Sequence, residues 1–136
     1  MIVIGQVSTA DAKAGSVRVT FSDRDDLVSG ELPVITPGGW ARGVAVPDVG
    51  ESVLCVFLDN GRSVGFCLGT YYGDDDKLPG TADQRGIWFE DGSHAFYDRK
   101  NKTLNIKAES GVRVEGNVIV SGSLTADSIT DRSGSA

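Results

Sequence analysis

Residues 103–129 read TLNIKAESGVRVEGNVIVSGSLTADSI, and apolar and polar side chains alternate along this stretch in short bursts. The bursts start at residues 104, 112, 118 and 124, with glycines between them. A period of two is typical of β-strands, because successive side chains of a strand point to opposite faces. The stretch therefore predicts a series of short strands, each with one apolar face.

The apolar side chains of this stretch are small, since no aromatic residue occurs in it. Short strands with a single small-aliphatic face cannot close a core within one chain, whereas three copies wound around a common axis could fill a narrow centre. An ordinary β-meander packed on its own domain is the alternative. We predict an intertwined trimeric shaft, a β-helix or β-prism, with a core of Leu104, Ile106, Val112, Val114, Val118, Val120, Leu124 and Ile129.

Length and charge limit what the rest of the chain can be. At 136 residues there is room for one domain of ordinary size, or for a smaller one with an appendage. All aromatic residues precede Arg99, so a conventional core is expected only in roughly the first hundred residues.

A formal net charge of −6 argues against nucleic acid as a partner, because neutralising phosphates needs clustered Lys and Arg. Without a signal peptide or a long apolar run, a soluble chain made in the cytosol is expected.

Five β-rich runs separated by turn signals occupy the first 70 residues, and no stretch shows a helical period. The runs cover residues 2–7, 15–21, 32–35, 52–58 and 63–68. Five short strands with one tight hairpin fit a small closed barrel of the OB type. We therefore predict an all-β chain with an OB-fold barrel over residues 1–72, a linker over 73–85, and a hairpin followed by the trimeric shaft over 86–136.

The hairpin between the last two runs of the barrel decides where the two cysteines lie. Asn60-Gly61 is a strong signal for a two-residue turn, which places Cys55 opposite Phe66 and the cysteines on opposite sides of the sheet. A three-residue loop would instead set Cys55 opposite Cys67. With the two-residue turn and a cytosolic origin, both cysteines are predicted to be reduced core residues.

Residues 53–58 of the same hairpin are apolar on both faces of the strand. One face is expected to line the barrel, so the other needs a cover of its own. That cover is either a loop of the same chain or a neighbouring subunit.

The residues that could carry catalysis are few. His94 is the only histidine, so a catalytic triad or a multi-histidine metal site cannot form within one chain. Glu90 and Asp91 are adjacent and would point to opposite faces of a strand, which does not suit paired-acid chemistry. Asp74-Asp75-Asp76 lacks the alternating ligands of a calcium loop and is interpreted as solvated linker. We expect a protein without enzymatic activity, cofactor or metal.

Several motifs give the chain a family resemblance. They are Pro47-Asp48-Val49-Gly50-Glu51-Ser52-Val53-Leu54, Gly65-Phe66-Cys67-Leu68-Gly69-Thr70-Tyr71, Leu104-x-Ile106 and Gly111-Val112-x-Val114. In this order and β context the sequence resembles the phage baseplate assembly protein V family, over almost its whole length. That family forms the central spike of contractile tails and is similar in architecture to the spike proteins of type VI secretion.

The resemblance implies an N-terminal OB domain, a homotrimer, and a pointed shaft that pierces the envelope of a target cell. It implies the baseplate hub and the tail tube proteins as partners, with Trp40, Val53, Cys55 and Phe57 as candidate hub contacts. The location implied is the baseplate of a virion or phage-like particle, assembled in the host cytoplasm.

The sequence departs from the family at its tip. Family members often continue past a segment like residues 131–135 into a His-x-His motif that binds a metal on the three-fold axis, and no such motif occurs here. A metal is therefore not expected, and the tip could be absent, removed or supplied by a separate capping protein. The alternative function is a trimeric receptor- or glycan-binding tail protein, in which an exposed Trp40 loop stacks on a sugar.

Overall fold

The computed structural model describes residues 1–132, and its regular structure is almost entirely β: 36% of the residues are in strands and 2% are helical. The predicted all-β class is confirmed. The chain divides into two compact units, the first spanning Met1–Asp76 and the second beginning at Lys77. Part of the predicted tip segment, residues 133–136, lies outside the described residues.

The first unit is built from six strands that follow one another along the chain. They are β1 (Ile2–Asp11), β2 (Ser16–Phe21), β3 (Leu27–Val28), β4 (Leu32–Pro33), β5 (Ser52–Phe57) and β6 (Gly65–Thr70). Strand β1 lies between β2 and β5, and β5 pairs with β6, all of them antiparallel. Strand β4 pairs with β2, and a parallel bridge between Val34 and Cys67 joins the end of β4 to β6. The ring of strands is therefore closed, whereas β3 only extends the pairing of β2.

The core of this barrel follows from the alternation of its strands. Every second residue of β2 and β5 points inward, so that Phe21 and Phe57 meet edge to face with ring centroids 5.7 Å apart. Gly5 lies where β1 crosses this packing, and a Cβ there would collide with Val19 and Phe21. The buried apolar residues are Val7, Val17, Val19, Phe21, Leu32, Val53, Cys55, Phe57 and Cys67.

The β5–β6 hairpin differs from the two-residue turn that Asn60-Gly61 predicts. The amide of Leu58 donates to the carbonyl of Val64, which leaves a loop over residues 59–63, and Cys55 pairs with Cys67 instead of Phe66. The longer loop brings the side chain of Arg62 over the end of the barrel, where it is buried. The contact of Arg62 with Phe21 stabilises this wider loop. The predicted pairing of the two strands was therefore wrong by one residue.

The second unit contains a three-stranded antiparallel meander, β7 (Gln84–Trp88), β8 (His94–Asp98) and β9 (Thr103–Lys107). The predicted hairpin around Asp91-Gly92 is confirmed, with Gly92 at a φ of +90° that favours glycine. Strand β7 begins within the segment 73–85 predicted as a linker, since Asp83 and Gln84 already bond to the turn after β8. No strand follows β9 among the described residues.

Candidate assembly surfaces

One face of the three-stranded sheet packs on its own side chains. Trp88 stacks on Phe96 with ring centroids 5.0 Å apart, and His94 lies 4.8 Å from Phe96 at a tilted angle. Gln84 donates a hydrogen bond of 3.2 Å to Asp98, and bonds from Gln84 and from the amides of Asn101 and Lys100 hold the pKa of Asp98 below its usual value. On this face the carboxylate of Asp98 is hydrogen-bonded and the aromatic rings, which are half-buried, pack on one another.

The opposite face of the same sheet is exposed and largely apolar, with the charged Arg85 paired to Tyr97. Tyr97 pairs with Leu104, and Ala95 lies between Ile87 and Ile106 in the register. Leu104 and Ile106, two of the predicted trimer-core residues, are 66% and 60% exposed. We call Ile87, Ala95, Tyr97, Leu104 and Ile106 the apolar sheet face. All five of these residues are exposed.

The remaining predicted trimer-core residues are also exposed. Across the whole predicted set the exposed fraction runs from 48% at Val120 to 78% at Ile129. Ile119, which the alternating pattern assigns to the opposite side from Val118 and Val120, is 91% exposed. The structure thus gives these aliphatic residues no core within one chain. The members beyond β9 are Val112, Val114, Val118, Val120, Leu124 and Ile129.

The backbone of this C-terminal segment is equally unpaired. Over residues 108–130 of the described chain a single hydrogen bond joins two backbone groups, from the amide of Gly111 to the carbonyl of Ala108, at 3.3 Å. The hydroxyl of Ser93 accepts one more bond, from the amide of Glu109. Because each peptide unit carries one donor and one acceptor, backbone groups without partners in their own chain pair with another chain or with solvent.

The barrel has a second apolar surface, on the outside of β1, β5 and β6, that is exposed at its edges and half-buried at Leu54 and Val56. In the register Ile2 lies beside Val56, which lies beside Phe66, and Ile4 lies beside Leu54. No charged side chain occurs in this group, and Ile2 is 71% exposed. We call Ile2, Ile4, Leu54, Val56, Phe66 and Leu68 the outer barrel face. The outward side of residues 53–58 is half-buried at Leu54 and Val56 and exposed at Leu58.

Three of the four predicted hub contacts do not lie on this surface. Val53, Cys55 and Phe57 point into the barrel core, where at most 3% of each residue is exposed. The prediction that they form contacts was wrong because, in a strand that is apolar on both sides, the pattern does not reveal which side is inside. The outward positions of the same strand are Leu54 and Val56. The run Ile2-Val3-Ile4 in β1 carries the same two-sided apolar signal, and Ile2 and Ile4 lie on the outer barrel face.

Trp40, the fourth predicted contact, is fully exposed. It lies in a long loop without regular structure between β4 and β5, after two glycines with φ values of +76° and +93°. Long exposed loops on a closed scaffold often carry binding residues. An indole in that position presents both faces of its ring to a partner.

The end of the barrel below the β5–β6 loop is closed by a charged pair. Arg62 donates two hydrogen bonds to the carboxylate of Asp23, at 2.8 and 3.0 Å, and its guanidinium lies 4.6 Å from the centre of the Phe21 ring. The hydrogen bond from Arg62 holds the pKa of Asp23 below its usual value. This site has the geometry of a structural clasp, since both oxygens of Asp23 are engaged and Arg62 is covered.

The described residues contain no group of three or more His, Cys, Asp or Glu side chains that could hold a metal ion. His94 contacts the carbonyl of Gly92 and the ring of Phe96, and Asp76 accepts a bond from the amide of Gly73 within its own turn. Among the described residues there is also no helix long and apolar enough to cross a membrane.

The sequence matches no model of a protein family, and no curated protein is significantly similar to it.

Proposed function

We propose that this protein is the structural spike of a contractile tail baseplate, a homotrimer at the tail tip that caps or nucleates the hub and pierces the target envelope. The observation that carries this proposal is the C-terminal segment, residues 108–130. Its aliphatic side chains are exposed, and apart from the bonds of Glu109 and Gly111 its backbone groups have no hydrogen-bond partners among the described residues. Three copies in register would bury those side chains along one axis and pair their backbones between chains. The apolar sheet face would continue the same core at the base of the shaft.

The connectivity of the first unit supports an OB-type barrel. Its strands form a closed ring in the order β1, β2, β4, β6 and β5, with a meander from β1 to β4 and a parallel contact between the end of β4 and β6. A small five-stranded Greek-key barrel is the OB architecture. This agrees with the resemblance of the sequence to the baseplate assembly protein V family, in which such a barrel precedes the shaft.

The outer barrel face is our candidate for docking on the baseplate hub. It is uncharged on a chain with a net charge of −6, so a neighbouring subunit could cover it without bringing charges out of water. Leu54 and Val56 replace the buried residues of the earlier prediction, and Trp40 remains a second candidate contact. Tail tube proteins and a separate tip-capping protein are further proposed partners, and nucleic acid is not one.

In this proposal the protein has no turnover chemistry and works by transmitting force. Contraction of the sheath drives the tube and the trimer forward, and the shaft opens the envelope. A three-chain β-structure suits that task because hydrogen bonds between chains leave few free strand edges to fray. The protein would then reside in the baseplate of a virion or phage-like particle and be assembled in the host cytoplasm.

A truncation after Ala108 tests the piercing role while leaving β9 and the barrel in place. Particles assembled with the truncated chain should fail to form, or should contract without killing or infecting target cells. Particles with Asn117→Asp, which adds a charge at an exposed position of the same segment, control for a general effect of altering it. Fully active particles from the truncated chain would leave the barrel only a hub or adaptor function.

The full exposure of Trp40 favours one alternative, a trimeric receptor- or glycan-binding tail protein. An indole ring free on both faces can stack on the apolar face of a sugar. Binding of the full chain to a glycan array or to cell-wall fragments, lost in Trp40→Ala, would support this function. A chain that binds neither, with or without Trp40, would count against it.

A further inference from the structure

Cys55 and Cys67 lie directly opposite each other on the two arms of the β5–β6 hairpin. Both side chains point into the barrel, and neither residue is exposed. Paired residues of antiparallel strands project to the same face, so the two sulfur atoms share one small volume of the core. The function proposed above uses neither thiol.

The backbone hydrogen bonds show which kind of strand pair the cysteines form. Phe57 exchanges hydrogen bonds with Met1, at 2.8 and 3.1 Å, so its backbone points toward β1 and away from β6. Two residues earlier, Cys55 has the same orientation. The carbonyl of Cys67 accepts a bond from the amide of Ile35, so it also points away from β5. Cys55 and Cys67 are therefore a non-hydrogen-bonded pair.

Non-hydrogen-bonded pairs are the closer of the two kinds in an antiparallel ladder, with Cα atoms roughly 4.5 Å apart. That separation lies within the range that a disulfide spans, roughly 4.4–6.8 Å between Cα atoms. No other pair of facing residues in this hairpin contains two cysteines. A covalent link at this position would join β5 to β6 without moving either strand far.

We propose that Cys55 and Cys67 form a cross-strand disulfide when the protein meets a low-molecular-weight disulfide such as oxidised glutathione. One cysteine thiolate attacks the glutathione disulfide and releases one glutathione thiol. The second cysteine thiolate then displaces the other glutathione from the mixed disulfide. Two cysteine thiols are oxidised to one disulfide, and their two electrons and two protons end on two reduced glutathiones. This inference is independent of the proposed spike function.

The contacts between the thiols suggest which of them attacks first. The hydrogen bond from Cys55 lowers the pKa of Cys67, and a backbone bond at Gly69 acts in the same direction, whereas burial opposes both. Cys67 is therefore the better source of a thiolate. Because both sulfurs are covered, exchange in the folded barrel requires local opening of the hairpin and should be slower than exchange during refolding.

Refolding the full chain from urea in glutathione buffers of increasing oxidised fraction tests the proposal. After acid quench and alkylation in denaturant, mass spectrometry should show a product that is 2 Da lighter than the reduced chain and carries no alkyl group. The oxidised form should also melt higher than the reduced form, by about 5 °C or more, because the link constrains the unfolded chain. Cys55→Ser and Cys67→Ser provide the controls, since neither can give the lighter product.

Two free thiols per chain after refolding in excess oxidised glutathione would overturn the proposal, as would mixed glutathione adducts or chain-to-chain disulfides alone. An oxidised form that melts below the reduced form would show that the link does not fit the barrel, and this too would contradict it.

Discussion

The barrel and the C-terminal unit use their apolar residues in opposite ways. In the barrel nine apolar residues are buried, with Phe21 and Phe57 among them. In the described part of the C-terminal unit no apolar residue is buried to the same degree, although aliphatic side chains recur along its whole length. Alternation of apolar and polar residues is present in both regions. The barrel therefore buries much of its apolar surface within one chain, whereas the described part of the C-terminal unit leaves its apolar side chains exposed.

Side-chain size explains much of this contrast. In the barrel Phe21, Leu32 and Phe57 fill the space between the strands together with smaller Val and Cys side chains. The C-terminal segment offers short runs of Val and Leu separated by glycines, too little apolar surface for a closed core. Association of identical chains would supply the missing apolar surface from further copies of the same residues. A mutation in the barrel core should therefore change the stability of the fold, whereas a mutation in the C-terminal segment should change assembly.

The largest effect is expected from charge in the C-terminal segment. Val114→Asp and Val118→Asp would each place three carboxylates near the proposed axis, where unpaired charge is very costly. We expect the C-terminal segment to lose resistance to proteolysis and the chain to become monomeric, while the barrel fragment survives. Asn117→Asp, which adds the same charge beside Val118, should leave assembly intact. If both valine variants digest like the wild type, these valines do not face the axis.

Shortening a side chain of the barrel core should give the second largest effect, and here we expect a change in stability without a change in assembly. Phe21→Ala removes a fully buried ring and should lower the free energy of unfolding of the barrel by about 3–5 kcal/mol, measured in urea. The mass of the assembled protein should not change below the melting point. Phe66→Ala, on the outer barrel face, is the matched control and should cost clearly less because the ring is 40% exposed. Equal costs would mean that the two faces of the barrel are misassigned.

The clasp at the end of the barrel should give a smaller, pH-dependent effect. Since Arg62 lowers the pKa of folded Asp23 below 3.8, the pair stabilises the barrel above that pH and loses its effect as the pH falls through the folded pKa. Asp23→Asn should therefore be less stable than the wild type at pH 7, and the difference should narrow below pH 4. Asp25→Asn, in the same turn, is the control. A difference that is constant from pH 7 to pH 2 would contradict this role.

The smallest effect on stability is expected at the outer barrel face. Ile4→Thr keeps a β-branched side chain at an exposed strand position, so the free energy of unfolding should change by only about 0.5 kcal/mol. Binding of the trimer to the baseplate hub should nevertheless weaken if this face is the docking surface. Arg18→Lys, on an exposed position of β2, should alter neither quantity. If a double variant with both Ile4→Thr and Leu54→Thr binds the hub as tightly as the wild type, docking uses another surface.

The sequence predicted the strands of the barrel well because their alternation and turn residues are local signals. The β5–β6 register was mispredicted, since the Asn60-Gly61 pair lies in a longer loop that Arg62 holds over Phe21. That contact joins residues distant in sequence, and no local pattern reports it. The sequence likewise could not show which of Val53 and Leu54 points into the core, because a strand that is apolar on both sides has no pattern with a period of two. The short strand β3 has too few residues to give a signal.

The mass of the full chain in solution is the most direct test of the trimeric shaft. Light scattering after size-exclusion chromatography, repeated over a hundredfold range of concentration, should give three times the chain mass of 14.3 kDa at every concentration. A mass of 14.3 kDa that does not change with concentration would contradict the trimer and the spike function built on it.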